Sequence, residues 1–263
     1  MLKFAANLSM MFNEVEFTER FARAANAGFE QVEYLFPYEY SASEIRSRLD
    51  NAGLTQALFN ASAGDWESGQ RGFAAVVGTE DQFRSTIEEA LTYAEVLGNE
   101  RIHVMSGIPP ENQAPEASLE CYLNNLQWAT EQAQSVGVRL MIEPINNRDM
   151  PGYFMNHPDL AIKVLEQLNS PNVALQFDFY HTQIICGDIE TRLKAYWSYI
   201  DHIQIASVPS RNEPDRGELN FDYLFKLLEA KGYKGFVGCE YRPAGDTEAG
   251  LGWFKNLRVN SHG

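Results

Sequence analysis

Cysteine is scarce in this 263-residue chain: Cys121, Cys186 and Cys239 stand far apart, and no Cys-x-x-Cys pair occurs. That excludes a zinc knuckle and a thioredoxin-like redox motif, and a sparse, odd count fits a reducing compartment. Basic residues are also few, since 21 Lys and Arg against 36 Asp and Glu leave a formal charge of −15. Nucleic acid demands a Lys/Arg surface, so it is not expected as a partner, and neither is a basic membrane-surface mode. No apolar run approaches the roughly 18 residues of a membrane span. Met1–Asn7 lacks the charged-then-apolar build of a signal peptide. The expectation is a cytoplasmic protein. No Gly-x-Ser-x-Gly, His-Glu-x-x-His or Walker loop is present. No Gly-x-Gly-x-x-Gly follows the first strand, which weighs against a Rossmann-like sheet; Gly250-Leu-Gly252 lacks the third glycine and lies near the end of the chain.

What is present is a rhythm. Short apolar runs alternate with amphipathic segments throughout. The expected strands are Phe4–Met10, Gln31–Phe36, Leu54–Ala61, Arg101–Ser106, Val138–Pro144, Val173–Phe179, His202–Ala206 and Gly235–Tyr241. Several are too continuously apolar for a half-wet strand and read as buried on both faces, the parallel-sheet pattern. Helical segments at Glu14–Ala27, Ala42–Ala52, Glu80–Leu97, Leu119–Val136 and Phe221–Lys231 each stop at a glycine, the expected left-handed cap. Eight such units in a chain of this length predict a closed (β/α)8 barrel in one domain, residues 1–259, followed by a short frayed tail, 260–263. The connection Ser62–Thr79 is unusually long and follows a strand, so it belongs on the face where barrel active sites lie. It reads as a lid or substrate wall carrying Trp66 and Arg71.

The informative residues are polar groups at the exits of apolar strands. Glu143 ends Leu-Met-Ile-Glu, Asp178 ends Leu-Gln-Phe-Asp, Gln204 sits in His-Ile-Gln-Ile-Ala, and Glu240 ends Val-Gly-Cys-Glu. Neighbours in this set are 26 to 36 residues apart, about one βα unit, so they fall on successive staves. Buried carboxylates need pairing or a metal. Three carboxylates and an amide oxygen suit Mg2+ or Mn2+ better than zinc or copper. His181 lies at the sixth strand's exit, where it could touch substrate or orient a proton. Arg211 lies in the loop after the seventh strand, and Arg242 follows Glu240 by two on the same face. His103 could point inward or outward, and His202 reads as structural.

These residues resemble a known family. Phe4-Ala-Ala-Asn-Leu-Ser-Met-Met11, Val32-Glu-Tyr-Leu-Phe-Pro-Tyr38, Ala57-Leu-Phe-Asn60, Gly238-Cys-Glu-Tyr-Arg-Pro243 and Gly250-Leu-Gly-Trp-Phe254 look like the hydroxypyruvate isomerase and 2-oxo-tetronate isomerase family of the xylose-isomerase-like barrel superfamily. The resemblance implies isomerisation of a small 2-oxo-3-hydroxy acid to its aldehyde isomer. It implies catalytic glutamates at Glu143 and Glu240, and a metal held by Glu143, Asp178, Gln204 and Glu240. Many superfamily members have a metal-binding His where this chain has Gln204, which suits a hard cation and not zinc. A substrate carboxylate needs a cationic partner, and the candidates are Arg242, Arg211, Arg71 and His181. A ketose epimerase with the same ligands, a nuclease and a non-catalytic barrel are the competing readings. Five histidines and a charge of −15 disfavour the nuclease.

Overall fold

Val-Ala-Leu-Gln-Phe-Asp, residues 173–178, is buried at every position, as only a strand covered on both faces can be. Seven similar segments join it in the computed structural model, which describes residues 1–259. The strands are β1 (Lys3–Asn7), β2 (Gln31–Tyr34), β3 (Thr55–Asn60), β4 (Arg101–His103), β5 (Arg139–Ile142), β6 (Val173–Asp178), β7 (Ile200–Gln204) and β8 (Phe236–Cys239). They form a closed barrel in sequence order, and β1 pairs in parallel with both β2 and β8. The (β/α)8 expectation therefore stands. Each strand falls within or beside its expected run, and most stop short of the expected exit. There the chain peels from the ladder into the loops that build the site. The expected tail, 260–263, lies outside the described residues.

Helices cover the barrel: α1 (Phe17–Asn26), α2 (Ala42–Ala52), α3 (Glu80–Leu97), α4 (Pro115–Ser135), α5 (Pro158–Leu168), α6 (Phe179–Ile185), α7 (Ile189–Tyr196), α8 (Phe221–Ala230), α9 (Thr247–Gly250) and α10 (Gly252–Val259). α2 and α3 end at their expected glycines, both left-handed at φ 65°. α4 begins earlier than expected because Pro115 opens it, where a missing N–H costs nothing. Among the described residues no helix is long and apolar enough to cross a membrane.

Side chains on a strand alternate between faces. Outward residues such as Val32, Ile102, Leu140, Phe177, Ile203 and Val237 pack against the helices in one large core. The inward set is different. Leu58, Met141 and Ala174 form a separate small cluster, while Gln56, Gln176 and His202 are buried polar groups on the strands. Barrels usually fill this space with layers of branched apolar side chains. Here the one apolar patch supports a polar interior, and the site lies at its upper end.

The long connection after β3 is pinned. Gly72 bridges Ser106 in antiparallel fashion, and the Ala75 N–H donates to the Ser106 carbonyl at 2.7 Å. Gly72 has φ 104°, and a Cβ there would stand 2.3 Å from the Met105 carbonyl oxygen, so only glycine permits this approach.

Candidate active site

The apolar run of β5 delivers Glu143 to the barrel mouth, and β8 delivers Glu240 in the same way. Asp178 is both the last residue of β6 and the N-cap of α6, because its Oδ1 accepts the Tyr180 N–H at 2.7 Å. That cap fixes the carboxylate and leaves Oδ2 with no hydrogen-bond partner. His181 follows in the first turn of α6. One ligand-type atom from each of Glu143, Asp178, His181 and Glu240 lies within 4.8 Å of all the others, and all four residues are buried. Ligands on opposite sides of a cation with bonds of about 2.0–2.1 Å stand about 4.2 Å apart, so this spacing suits one shared ion.

Electrostatics point the same way. Burial raises the proton affinity of all three carboxyls. The other carboxylates add to this at Glu143, while Arg211 opposes it throughout. Arg211 Nη2 contacts Glu240 Oε2 at 2.6 Å and Nη1 lies 3.3 Å from Asp149 Oδ2. Burial works against its charge, but Glu240, Asp178 and Glu143 together hold it firmly protonated. One guanidinium cannot balance three buried carboxylates. A divalent cation would, and Glu143 Oε1 and Asp178 Oδ2 are buried without partners on that site. Arg211 itself sits in a left-handed backbone conformation, φ 55°, which costs a non-glycine residue about 1–2 kcal/mol. Strain of this kind marks functional positions.

The histidine geometry is specific. Asn146 Oδ1 accepts the N–H groups of Arg148 (3.0 Å) and Asp149 (2.9 Å), so its amide nitrogen must face the other way. That nitrogen donates to His181 Nδ1 at 2.6 Å, and the Asn146 backbone N–H adds a second donation at 3.3 Å. Nδ1 therefore accepts, and the proton rests on Nε2. Nε2–H points at Asp178 (3.7 Å) and Glu143 (3.9 Å). Its 3.4 Å approach to Arg211 is then a contact between two donors, not a bond. A protonated Nε2 donates and does not ligate, so within the cluster the carboxylates are the groups that could hold a metal. Burial first, then Arg211 and His103, keeps the imidazole neutral. His103 points inward, with Nδ1 3.6 Å from Glu143 Oε2. Burial and His202 pull its pKa down to about 3.

Gln204 pairs in register with Asp178 across β6 and β7. Its Oε1 accepts Gln176 Nε2 at 2.6 Å and its Nε2 donates to Glu33 at 2.8 Å. A carbonyl oxygen has a second lone pair, so Oε1 keeps acceptor capacity for a cation. Arg242 and Trp66 line the cavity of about 270 Å3 above the cluster. They also line a wider cleft of about 630 Å3 that opens from it. Arg242 is exposed, and among the described residues its guanidinium has no hydrogen bond or ion pair. Arg71 is placed differently: its guanidinium stacks on Trp66 at 3.7 Å and donates to the Trp66 and Gln70 carbonyls, away from the cavity lining. Asn146, Gln176 and Glu33 were not singled out in the sequence. Their only signal there is a polar side chain inside or just after an apolar strand.

Known proteins resemble this chain along nearly all its length. The family model described as "Xylose isomerase-like TIM barrel" matches residues 21–257. A 2-oxo-tetronate isomerase from Cupriavidus necator is 54% identical over 97% of this chain and 98% of its own. A hydroxypyruvate isomerase from Escherichia coli is 40% identical over 98% of this chain and 100% of its own. A Brucella melitensis crystal structure, named AP endonuclease, family 2, superposes with a TM-score of 0.95 at 48% identity, covering 97% of this chain and 99% of that one. Matches of this extent leave one conclusion: the chain belongs to the xylose isomerase-like TIM barrel family.

Proposed function

We propose that the protein isomerises a small 2-oxo-3-hydroxy acid to its aldehyde isomer, converting hydroxypyruvate to 2-hydroxy-3-oxopropanoate. One observation carries this reading: three buried carboxyls and a proton-donating histidine converge beneath a cavity that has a free arginine on its rim. Moving a carbonyl to the neighbouring carbon requires a proton to leave one carbon and arrive at the next, through an enediolate. Glu143 and Glu240 share those base and acid roles. His181 Nε2–H donates to the oxygen on which negative charge develops. Arg242 takes the substrate carboxylate, because Arg211 is already committed to Glu240 and Asp149 and Arg71 to loop carbonyls. Trp66 walls the cavity beside it. When bound at Glu143, Asp178, Gln204 and Glu240, Mg2+ or Mn2+ supplies Lewis-acid polarisation and offsets the buried charge. Three free thiols support a reducing compartment, which we take to be the cytoplasm.

The four-carbon 2-oxo-tetronate homologue is the second reading, favoured by the 54% identical relative and by the cleft continuing past Arg242. The nuclease reading has little support, because the cluster is carboxylate-rich with a single histidine. The test is turnover of both acids and of neutral ketoses, with and without chelator, by the parent, Glu143→Gln and Glu240→Gln. Either substitution is expected to reduce kcat by at least about 100-fold, the scale of a lost acid/base group. Turnover that survives chelation and both substitutions, or a preference for neutral ketoses, would refute the proposal. Deuterium from solvent entering the product supports the proton route, and its complete absence weighs against the enediolate and toward a hydride shift.

A further inference from the structure

Glu33, on β2, lies wholly inside the barrel, and no Arg or Lys pairs with it among the described residues. Three N–H donors meet it instead. Oε1 accepts from Asn7 Nδ2 at 3.0 Å and from Gln204 Nε2 at 2.8 Å, and Oε2 accepts from His202 Nε2 at 2.7 Å. Room for it is reserved on β8, where a Cβ at Gly238 would fall 2.2 Å from Glu33 Oε2. A carboxylate held at this depth by so many partners is costly to build, and it touches none of the groups that would meet substrate.

We propose that Glu33 is a positioning residue that sets the direction of two buried amides, so that Gln204 turns its oxygen, and Gln176 an N–H, toward the carboxylate cluster. A carboxamide is nearly symmetrical in shape, and only its partners decide which end is oxygen. A carboxylate ligand has no such ambiguity, but an amide reversed would present N–H groups to a cation. Glu33 accepts on both oxygens, so Gln204 must give it Nε2 and direct Oε1 the other way. There Oε1 meets Gln176 Nε2 at 2.6 Å, and Gln176 opposes in small part the burial that raises the proton affinity of the Glu143 carboxyl. One buried charge thus orients a ligand oxygen and, one amide further on, an N–H donor beside a catalytic glutamate.

The inference rests on the metal reading above, and the test separates the two. Mn2+ binding to the metal-stripped protein is read from the spin-resonance signal of free Mn2+, with apo Tm, kcat and KM measured alongside. The parent must bind Mn2+; if it binds none, the metal reading falls and this inference falls with it. Glu33→Gln keeps the shape but lets position 33 donate as well as accept. It is expected to weaken Mn2+ binding by about 10- to 100-fold, the scale for a group behind a metal ligand. Gln204→Glu supplies what is ordinarily a good hard-cation ligand, yet sets two carboxylates face to face, so it too is expected to bind more weakly than the parent. The double variant exchanges carboxylate and amide, restores a donor–acceptor pair, and is expected to bind more tightly than Gln204→Glu alone. A merely structural role would lower apo Tm without that recovery. Parent-like Mn2+ binding by Glu33→Gln, or a double variant no better than Gln204→Glu, overturns the inference. If Glu33→Gln does not fold, Gln204→Glu decides alone: tighter binding than the parent overturns it, and weaker binding supports it.

Discussion

Asn146→Asp is the most informative single substitution at the mouth of the barrel. The new side chain keeps one oxygen for the N–H groups of Arg148 and Asp149, so the loop after β5 stays closed. The atom facing His181 Nδ1 changes from a donor at 2.6 Å to an acceptor. In the parent, moving the imidazole proton to Nδ1 would forfeit both donations from Asn146, the short one alone worth about 0.5–1.5 kcal/mol, and leave a buried donor unpaired at about 1–3 kcal/mol. A total near 3 kcal/mol keeps Nε2–H favoured by roughly 100 to 1. The substitution reverses that preference, since a carboxylate beside Nδ1 demands a proton there. The cavity then loses its Nε2–H donor, and kcat is expected to fall by about 100-fold or more, as when one oxyanion donor is removed. Imidazole 15N shifts of His181 report the tautomer independently of turnover. Asn146→Ala leaves the backbone N–H at 3.3 Å as a donor to Nδ1, so its tautomer is expected to stay Nε2–H and its loss to be smaller. The reasoning is wrong if Asn146→Asp keeps the Nε2–H tautomer, or if it moves the proton to Nδ1 and kcat does not change.

Two other perturbations test different parts of the molecule. Arg242→Gln removes the one arginine on the cavity rim whose guanidinium has no partner among the described residues. KM for the 2-oxo acid is expected to rise at least about tenfold, the worth of one charge-assisted hydrogen bond of about 1.5–3 kcal/mol, with kcat little changed; an unaltered KM would assign the carboxylate elsewhere. Glu14 ties the loop after β1 to α9, accepting the Thr247 N–H at 2.7 Å and its hydroxyl at 2.9 Å. Burial, the largest single influence, pushes its pKa up, but these bonds together with its own backbone N–H and Arg23 outweigh it and hold the carboxyl below the usual glutamate range. The stabilisation is therefore complete above the unfolded-state pKa and disappears as pH falls through the folded one. Denaturation midpoints of the parent and Glu14→Gln are expected to differ at pH 7 and converge below about pH 4, and a difference that persists in acid would contradict this.

How much of this was legible beforehand depended on how local each signal was. The strands declared themselves because burial on both faces writes an apolar run that needs no partner to recognise. Glu143 and Glu240 stood out because a carboxylate at the end of such a run has to be explained. Asp178 hid a second role: as the N-cap it starts α6 at once, so the exit expected to continue as strand to Phe179 is already helical there. Glu33 was invisible for the opposite reason. Its partners His202 and Gln204 lie 169 and 171 residues away, and only closing the barrel brings β2 and β7 to a common interior. His103 could not be assigned a side because alternation gives a face but not its sign until the register is known.

The polar interior also explains why the site can be both strained and defined. A barrel packed with branched side chains would be simpler to stabilise, whereas a half-satisfied buried network is worse than an apolar core. Here several site groups are fixed through one atom while another remains available. Asp178 gives Oδ1 to the start of α6 and keeps Oδ2; His181 gives Nδ1 to Asn146 and keeps Nε2–H; Glu240 gives Oε2 to Arg211. The buried atoms left without partners include Glu143 Oε1 and Asp178 Oδ2, both in the cluster itself. Two unpaired carboxylate oxygens in one cluster, beside groups held by their other atoms, are what preorganisation requires: the cost of assembling unpaired acceptors is met during folding, before any cation or substrate arrives.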